Sequence, residues 1–130
     1  MARPASRHPT ELELLILKVL WRRSPLLARD VQQALADDGR ELAKTTVITT
    51  LNTMVDKRYL KRKKRGNSFL FSPAIDAATV SERVLSDVVD RVFEGSTSAV
   101  VLKLFDVQNI DSDELKELRR IIDQKLKETS

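Results

Sequence analysis

Between Lys57 and Arg65, seven of nine residues are cationic: Lys57, Arg58, Lys61, Arg62, Lys63, Lys64 and Arg65. No acidic residue interrupts the run, so it would attract a polyanion such as a nucleic-acid backbone. Just upstream, Thr45, Ile48, Thr49 and Asn52 recur at i, i+3, i+4 and i+7, one stripe of a helix. Threonine and asparagine are short donors and acceptors suited to base edges, and a solvent-facing isoleucine suits a thymine methyl group. Lys44 and Thr46 flank the stripe. Phosphate neutralisation and base-edge readout are the chemistries these residue types support. Little else in the chain is reactive. There is no cysteine, and the one histidine, His8, falls in an expected N-terminal tail without a second ligand or catalytic companion. With no nucleophile and base set and no cofactor loop, no enzyme activity, cofactor or metal is expected. Asp111, Asp113 and Glu114 lack calcium-loop spacing and are explained by a helix start.

These residues need elements to position them. Residues 1–8, with Arg3, Pro4, Ser6 and Arg7, read as a mobile basic tail. Thr10-Glu11-Leu12-Glu13 fits a capping box that opens a first, strongly apolar helix, ended by Ser24-Pro25. A second helix is predicted from about Ala28 to Ala36, stopped at Asp37-Asp38-Gly39. A third runs from about Ala43 to Lys57, with Val47, Thr50, Leu51, Met54 and Val55 facing inward and the Thr45 stripe outward. Leu60–Lys64 and Ser68–Ser72 read as two strands of a hairpin around Arg65-Gly66-Asn67. Trp21, Phe69 and Phe71 sit in apolar patterns and are assigned to the core rather than to base stacking. Three helices followed by a cationic hairpin make a winged helix-turn-helix, with the third helix for bases and the hairpin for phosphates.

The rest is predicted helical: Ala77–Phe93, a short helix from Ser96 through Phe105, and a last helix opened by Asp111 and Glu114. The expected fold is therefore mainly α with a small β-hairpin wing: a winged-helix domain over 9–74 and a helical dimerisation domain over 75–130. Net charge follows the division. Residues 1–75 hold 15 Lys/Arg against 7 Asp/Glu, and residues 76–130 hold 8 against 12. The acidic half would be repelled by a polyanion and is expected to face protein. It carries Val84, Val88, Val101, Leu104, Leu118 and Ile122 in a segment too short to bury them alone, and twofold self-pairing is the commonest remedy. No apolar run approaches the ~20 residues that span a bilayer, and the N-terminus has no apolar signal core, so a cytoplasmic location is expected.

Several segments fall in an order that carries a family resemblance. They are Thr10-Glu11-Leu12-Glu13, Val19-Leu20-Trp21, Thr45-Thr46-Val47, Thr49-Thr50-Leu51-Asn52, Phe69-Leu70-Phe71-Ser72-Pro73, Phe93-Glu94-Gly95-Ser96 and Glu114-Leu115-Lys116-Glu117-Leu118-Arg119. Together, over roughly residues 9–126, they resemble the penicillinase-repressor family, which includes β-lactamase and methicillin-resistance repressors and a copper-responsive repressor. The resemblance implies a homodimeric bacterial repressor, with an N-terminal winged helix and an intertwined helical C-terminal part, on an inverted-repeat operator. It also implies, for antibiotic-responsive members, a membrane sensor protease as partner. The family's scissile Asn-Phe pair is Lys103-Leu104 here, a departure from that pattern. The copper branch uses C-terminal cysteines, which this chain lacks. Arg58 stands where the family usually has glycine after the recognition helix.

The expected function is sequence-specific repression of transcription through double-stranded DNA. The expected contacts are Lys44, Thr45, Thr46, Ile48, Thr49, Asn52, Arg58, Lys61, Arg62, Lys63, Lys64 and Arg65. Two rivals stand beside it: a winged-helix protein that binds nucleic acid without sequence choice, and a protein-interaction module on the same fold.

Overall fold

Helix α1, Glu11–Arg22, opens on the expected capping box in a computed structural model that describes residues 8–130. The Glu13 N–H donates to Thr10 Oγ1 at 3.2 Å, and the Thr10 N–H donates to Glu13 Oε1 at 2.9 Å. The expected basic tail with Arg3, Pro4, Ser6 and Arg7 lies outside the described residues. His8 is described, and it is not an unattached tail residue: its Nε2–H donates to Asp87 Oδ2 at 3.1 Å. That partner stands 79 residues away in the chain, beyond the reach of local sequence reading.

Strand β1, Leu26–Leu27, leads into α2, Ala28–Asp37, and α3, Lys44–Asp56; β2, Leu60–Arg65, and β3, Ser68–Pro73, complete the sheet. Two strands are expected and three are found. β1 pairs antiparallel with β3, Leu26 opposite Phe71 and Leu27 opposite Leu70, in the order β1-β3-β2. A two-residue strand is too short to show alternation, so its existence depends on the partner it meets. The three helices bury Ile16, Leu17 and Leu20, Val31 and Leu35, and Val47, Leu51 and Met54 against Tyr59, Leu60 and Phe71. Each such side chain contributes on the order of 1.5–3 kcal/mol. Trp21 packs beside this core, and its indole N–H donates to the Ile75 carbonyl at 2.9 Å.

Two helix ends share one hydrogen-bond pattern. After α2, the Arg40 N–H donates to Leu35 O and the Gly39 N–H to Ala36 O; after α3, Tyr59 N–H donates to Met54 O and Arg58 N–H to Val55 O. Both are Schellman turns, whose penultimate residue must be left-handed. Gly39 has φ 91 and Arg58 has φ 66. Arg58 thus takes the left-handed conformation that glycine adopts in the matching turn.

Helices α4, Ala77–Val92, α5, Thr97–Val107, and α6, Ser112–Thr129, follow. Packing divides the chain into two units, one ending at Asp87 and one covering Val88–Ser130. The division falls inside α4 rather than at 74/75. Val80 is only 3% exposed in the first unit's core, and Val84 packs against that core. Val84, expected at a dimer contact, therefore has intramolecular partners. In the second unit the expected caps are present: Ser96 Oγ accepts the Ala99 N–H at 3.1 Å and Asp111 Oδ1 accepts the Glu114 N–H at 2.9 Å. Neither α5 nor α6 buries a residue, and Leu102, Leu104, Phe105, Leu115, Ile122 and Leu126 are exposed. Among the described residues, no helix is long and apolar enough to cross a membrane.

Candidate nucleic-acid interface

The amphipathic pattern of α3 decides which side chains it offers. Val47, Leu51 and Met54 are at most 1% exposed, which turns Thr45 and Thr49 out to solvent and leaves Ile48 and Asn52 half-buried at the edge. Thr46 is exposed beside the stripe, and its carbonyl accepts the Thr50 hydroxyl at 2.7 Å. Lys44 is exposed in the first turn. Packing of α3 on α2 and on β2 holds the stripe, and Gln32 Nε2 donates to the Leu42 carbonyl at 2.9 Å across the turn between the helices.

The hairpin stands beside it. Arg65 pairs with Ser68, so the turn is the two residues Gly66 and Asn67, with Gly66 at φ 61. A positive φ at the first position is what a tight hairpin turn of this hand requires and glycine supplies. Lys61, Arg62, Lys63, Lys64 and Arg65 are all exposed. Opposite residues of an antiparallel pair share a face. Arg62 lies opposite Phe71 and Lys64 opposite Phe69, so these four face one way, whereas Lys61, Lys63 and Arg65 lie on the other face with Ser72, Leu70 and Ser68.

Helix and hairpin enclose a cleft of about 430 Å³, lined by Lys44, Ile48 and Asn52 of α3, by Arg29 and Leu27, and by Asn67, Ser68 and Phe69 of the hairpin. The Arg62 guanidinium donates to Asn52 Oδ1 and sits over the Phe69 ring, 4.6 Å from its centroid. The two predicted surfaces are thus linked through one arginine.

Two expectations are corrected. Phe69 is not a core residue: it is 37% exposed, while Phe71 is 3% exposed. Helices and β1 cover the sheet only as far as Phe71 and Leu70, and Phe69 lies further out on a two-stranded ribbon. Strict alternation in the sequence could not reveal where that cover stops. Lys57, first of the cationic run, is committed elsewhere. Its Nζ donates to both Glu13 oxygens, at 2.9 and 3.1 Å, and Glu13 is only 3% exposed. It joins α3 to the capping box of α1. Arg29, Asn67 and Ser68 also line the cleft: Asn67 and Ser68 are read from sequence only as turn and strand residues, and Arg29 is an isolated cation that no local pattern marks.

Electrostatics separate the cationic hairpin from the rest. Among the described residues, Lys61, Lys63, Lys64 and Arg65 take part in no ion pair, whereas Arg120 pairs with Glu117, Lys125 with Glu128 and Lys103 with Asp106 within their own helices. The Arg120 guanidinium holds the Glu117 carboxyl below the usual carboxylate range by hydrogen bonding. Charge in α5 and α6 is largely internally balanced; charge on the hairpin is left for an external anion.

Known proteins resemble this chain in sequence and in fold. A family model described as penicillinase repressor matches residues 9–124. The penicillinase repressor of Bacillus licheniformis is 25% identical over 115 residues, covering 88% of this chain and 89% of that one. The methicillin resistance regulatory protein MecI of Mammaliicoccus sciuri is 19% identical over 110 residues, covering 85% and 89%. Among solved structures, the DNA binding domain of the repressor BlaI superimposes with a TM-score of 0.50 at 25% identity, over 59% of this chain and 93% of that one. The fold also matches hsRosR, with a TM-score of 0.53 at 13% identity over 94% and 96%. With the family model spanning both structural units, this chain belongs to the penicillinase repressor family.

Proposed function

We propose that this chain represses transcription by binding double-stranded DNA as a homodimer on an inverted-repeat operator. One observation carries the reading: an uncompensated cationic hairpin flanks an outward-facing polar helix stripe across a shared cleft. In this reading α3 enters the major groove, and Thr45, Ile48, Thr49 and Asn52 meet base edges. Lys44, Thr46, Arg58 and the hairpin cations Lys61, Lys63, Lys64 and Arg65 lie over phosphates. The names of the relatives, regulators of penicillinase and of methicillin resistance, support transcription as the process.

The second copy is supported by the second unit, whose two complete helices bury nothing within the chain. The dimerising part then starts near Val88, and Val88, Val101, Leu104, Leu118 and Ile122 supply its apolar contacts. A membrane sensor protease cutting at Lys103-Leu104, inside α5, would release DNA by separating the two copies without touching α3.

The test is competition. Duplexes selected by the intact chain from a random pool are titrated against random duplex at several salt concentrations. A repressor loses affinity steeply with salt yet keeps a preference on the order of 10³–10⁷ for its operator. Equal affinity for both, with the same salt slope, would place the chain among proteins that bind nucleic acid without sequence choice.

A further inference from the structure

We propose that Arg62 is a positioning residue that clamps the Asn52 side-chain amide, so that Asn52 meets DNA as a donor and selects guanine over adenine. The proposal rests on the operator-binding reading above and adds how one base is chosen. Among the hairpin cations, Arg62 shares its face of β2 with Lys64 and is the one bonded to α3. Lys61, Lys63 and Arg65 occupy the opposite face of β2, and Arg62 is turned toward α3 with Phe71 across the ladder. Its guanidinium is occupied at its plane and at its edge: the Phe69 ring lies 4.6 Å away and Asn52 Oδ1 accepts its N–H. A cation over an aromatic face is held by the ring quadrupole, which limits its freedom to seek a phosphate.

The chemistry of the pair orients the amide. A guanidinium has donors only, so it can meet the oxygen of Asn52 and not the nitrogen. The Nδ2 group is thereby turned away from Arg62, on a side chain half-buried at the edge of the cleft. An unclamped asparagine pairs with adenine through one accepted and one donated hydrogen bond. Here one lone pair of the oxygen already takes a hydrogen bond from the Arg62 cation, whose charge also disfavours a second donor such as the adenine amino group beside it, and the wholly unengaged part of the amide is its pair of N–H donors. Guanine offers two acceptors, N7 and O6, on its major-groove edge, whereas adenine pairs one acceptor with a donor. The clamp therefore favours guanine.

The experiment selects bound duplexes from a random pool with the full-length wild type, Asn52→Ala, Arg62→Ala and Arg62→Lys, and measures each salt slope on the wild-type operator. Melting curves confirm that the variants fold. One base column depends on Asn52 and holds guanine in the wild type. Arg62→Ala shifts that column toward adenine by about tenfold, leaves the other columns in place, and changes the salt slope by well under the ~0.9 of one phosphate contact. Arg62→Lys shifts the same column, because an ammonium keeps the charge but lacks the planar fork that stacks and grips at once. Arg62→Ala weakening all duplexes alike, with a slope lower by about one unit, would make Arg62 a phosphate contact and overturn the proposal. An Asn52 column that holds adenine, or that is unchanged in Arg62→Ala, overturns it too. A wild-type chain that enriches no motif removes the repressor reading itself, a distinguishable result.

Discussion

Arg58 holds a left-handed backbone, φ 66, at the position that Gly39 fills in the matching turn after α2. A side chain there is strained by about 1 kcal/mol. Arg58→Gly is therefore expected to raise unfolding stability by about 1 kcal/mol in denaturant titration, and to weaken every DNA duplex alike, since a phosphate contact carries no sequence information. Lys57 gives the opposite pair of outcomes. Lys57→Ala removes a charged hydrogen-bond partner from Glu13, which is only 3% exposed, and should cost about 2 kcal/mol of stability. The salt slope of DNA binding should stay as it is. A slope lowered by about one unit would return Lys57 to the interface.

At the scale of elements, the hairpin and α4 respond to different variables. Lys63 and Arg65 lie on one face of β2 without ion-pair partners among the described residues. Neutralising both should weaken all duplexes equally and flatten the salt slope by about one unit for each phosphate released; a sequence-selective effect would contradict a phosphate role. The start of α4 responds to acid. The Thr79 hydroxyl, and then its backbone N–H at 2.8 Å, hold the Asp76 carboxyl below its usual value of 3.8. A lowered folded value means that this cap's stabilisation is complete above pH 3.8 and is lost as pH falls through the folded value. Hydrogen exchange at the Thr79 amide should accelerate in that acid range relative to the helix interior. In Asp76→Asn the acid-dependent step should vanish.

For the whole molecule, the proposed pairing of two copies through the exposed apolar side chains of α5 and α6 sets the expected affinity. Two DNA-binding units held together gain on the order of 10²–10⁴ in avidity. Removing residues 88–130 should leave a folded monomer with operator affinity lowered by that factor; the cut belongs at Val88 because Val80 and Val84 serve the first unit's core. Leu118→Glu should act likewise in the intact chain, by placing an unpaired charge in an apolar contact. Sedimentation measures both. An intact chain that sediments as a monomer at micromolar concentration would remove the dimer.

Local signals in this chain are strong wherever one element answers to its own periodicity. The capping box at Thr10, the inward Val47–Leu51–Met54 stripe, the exposure of Thr45 and Thr49, the cationic hairpin and the caps at Ser96 and Asp111 follow from spacing and residue type, and the structure has them all, whereas Ile48, expected to face solvent, and Asn52 are half-buried at the edge of the stripe. What needed the folded chain are features set by partners distant in sequence. β1 exists because Phe71 and Leu70 pair with it. Phe69 is exposed because the cover of the sheet ends one pleat earlier. Lys57 leaves the cationic surface because Glu13 lies beside it across 44 residues, and Arg62 joins Asn52 because the hairpin folds back along α3. Periodicity reports which face of an element is apolar; it carries no information about where the covering element stops, or about which charge will find a counter-charge once the chain has closed on itself.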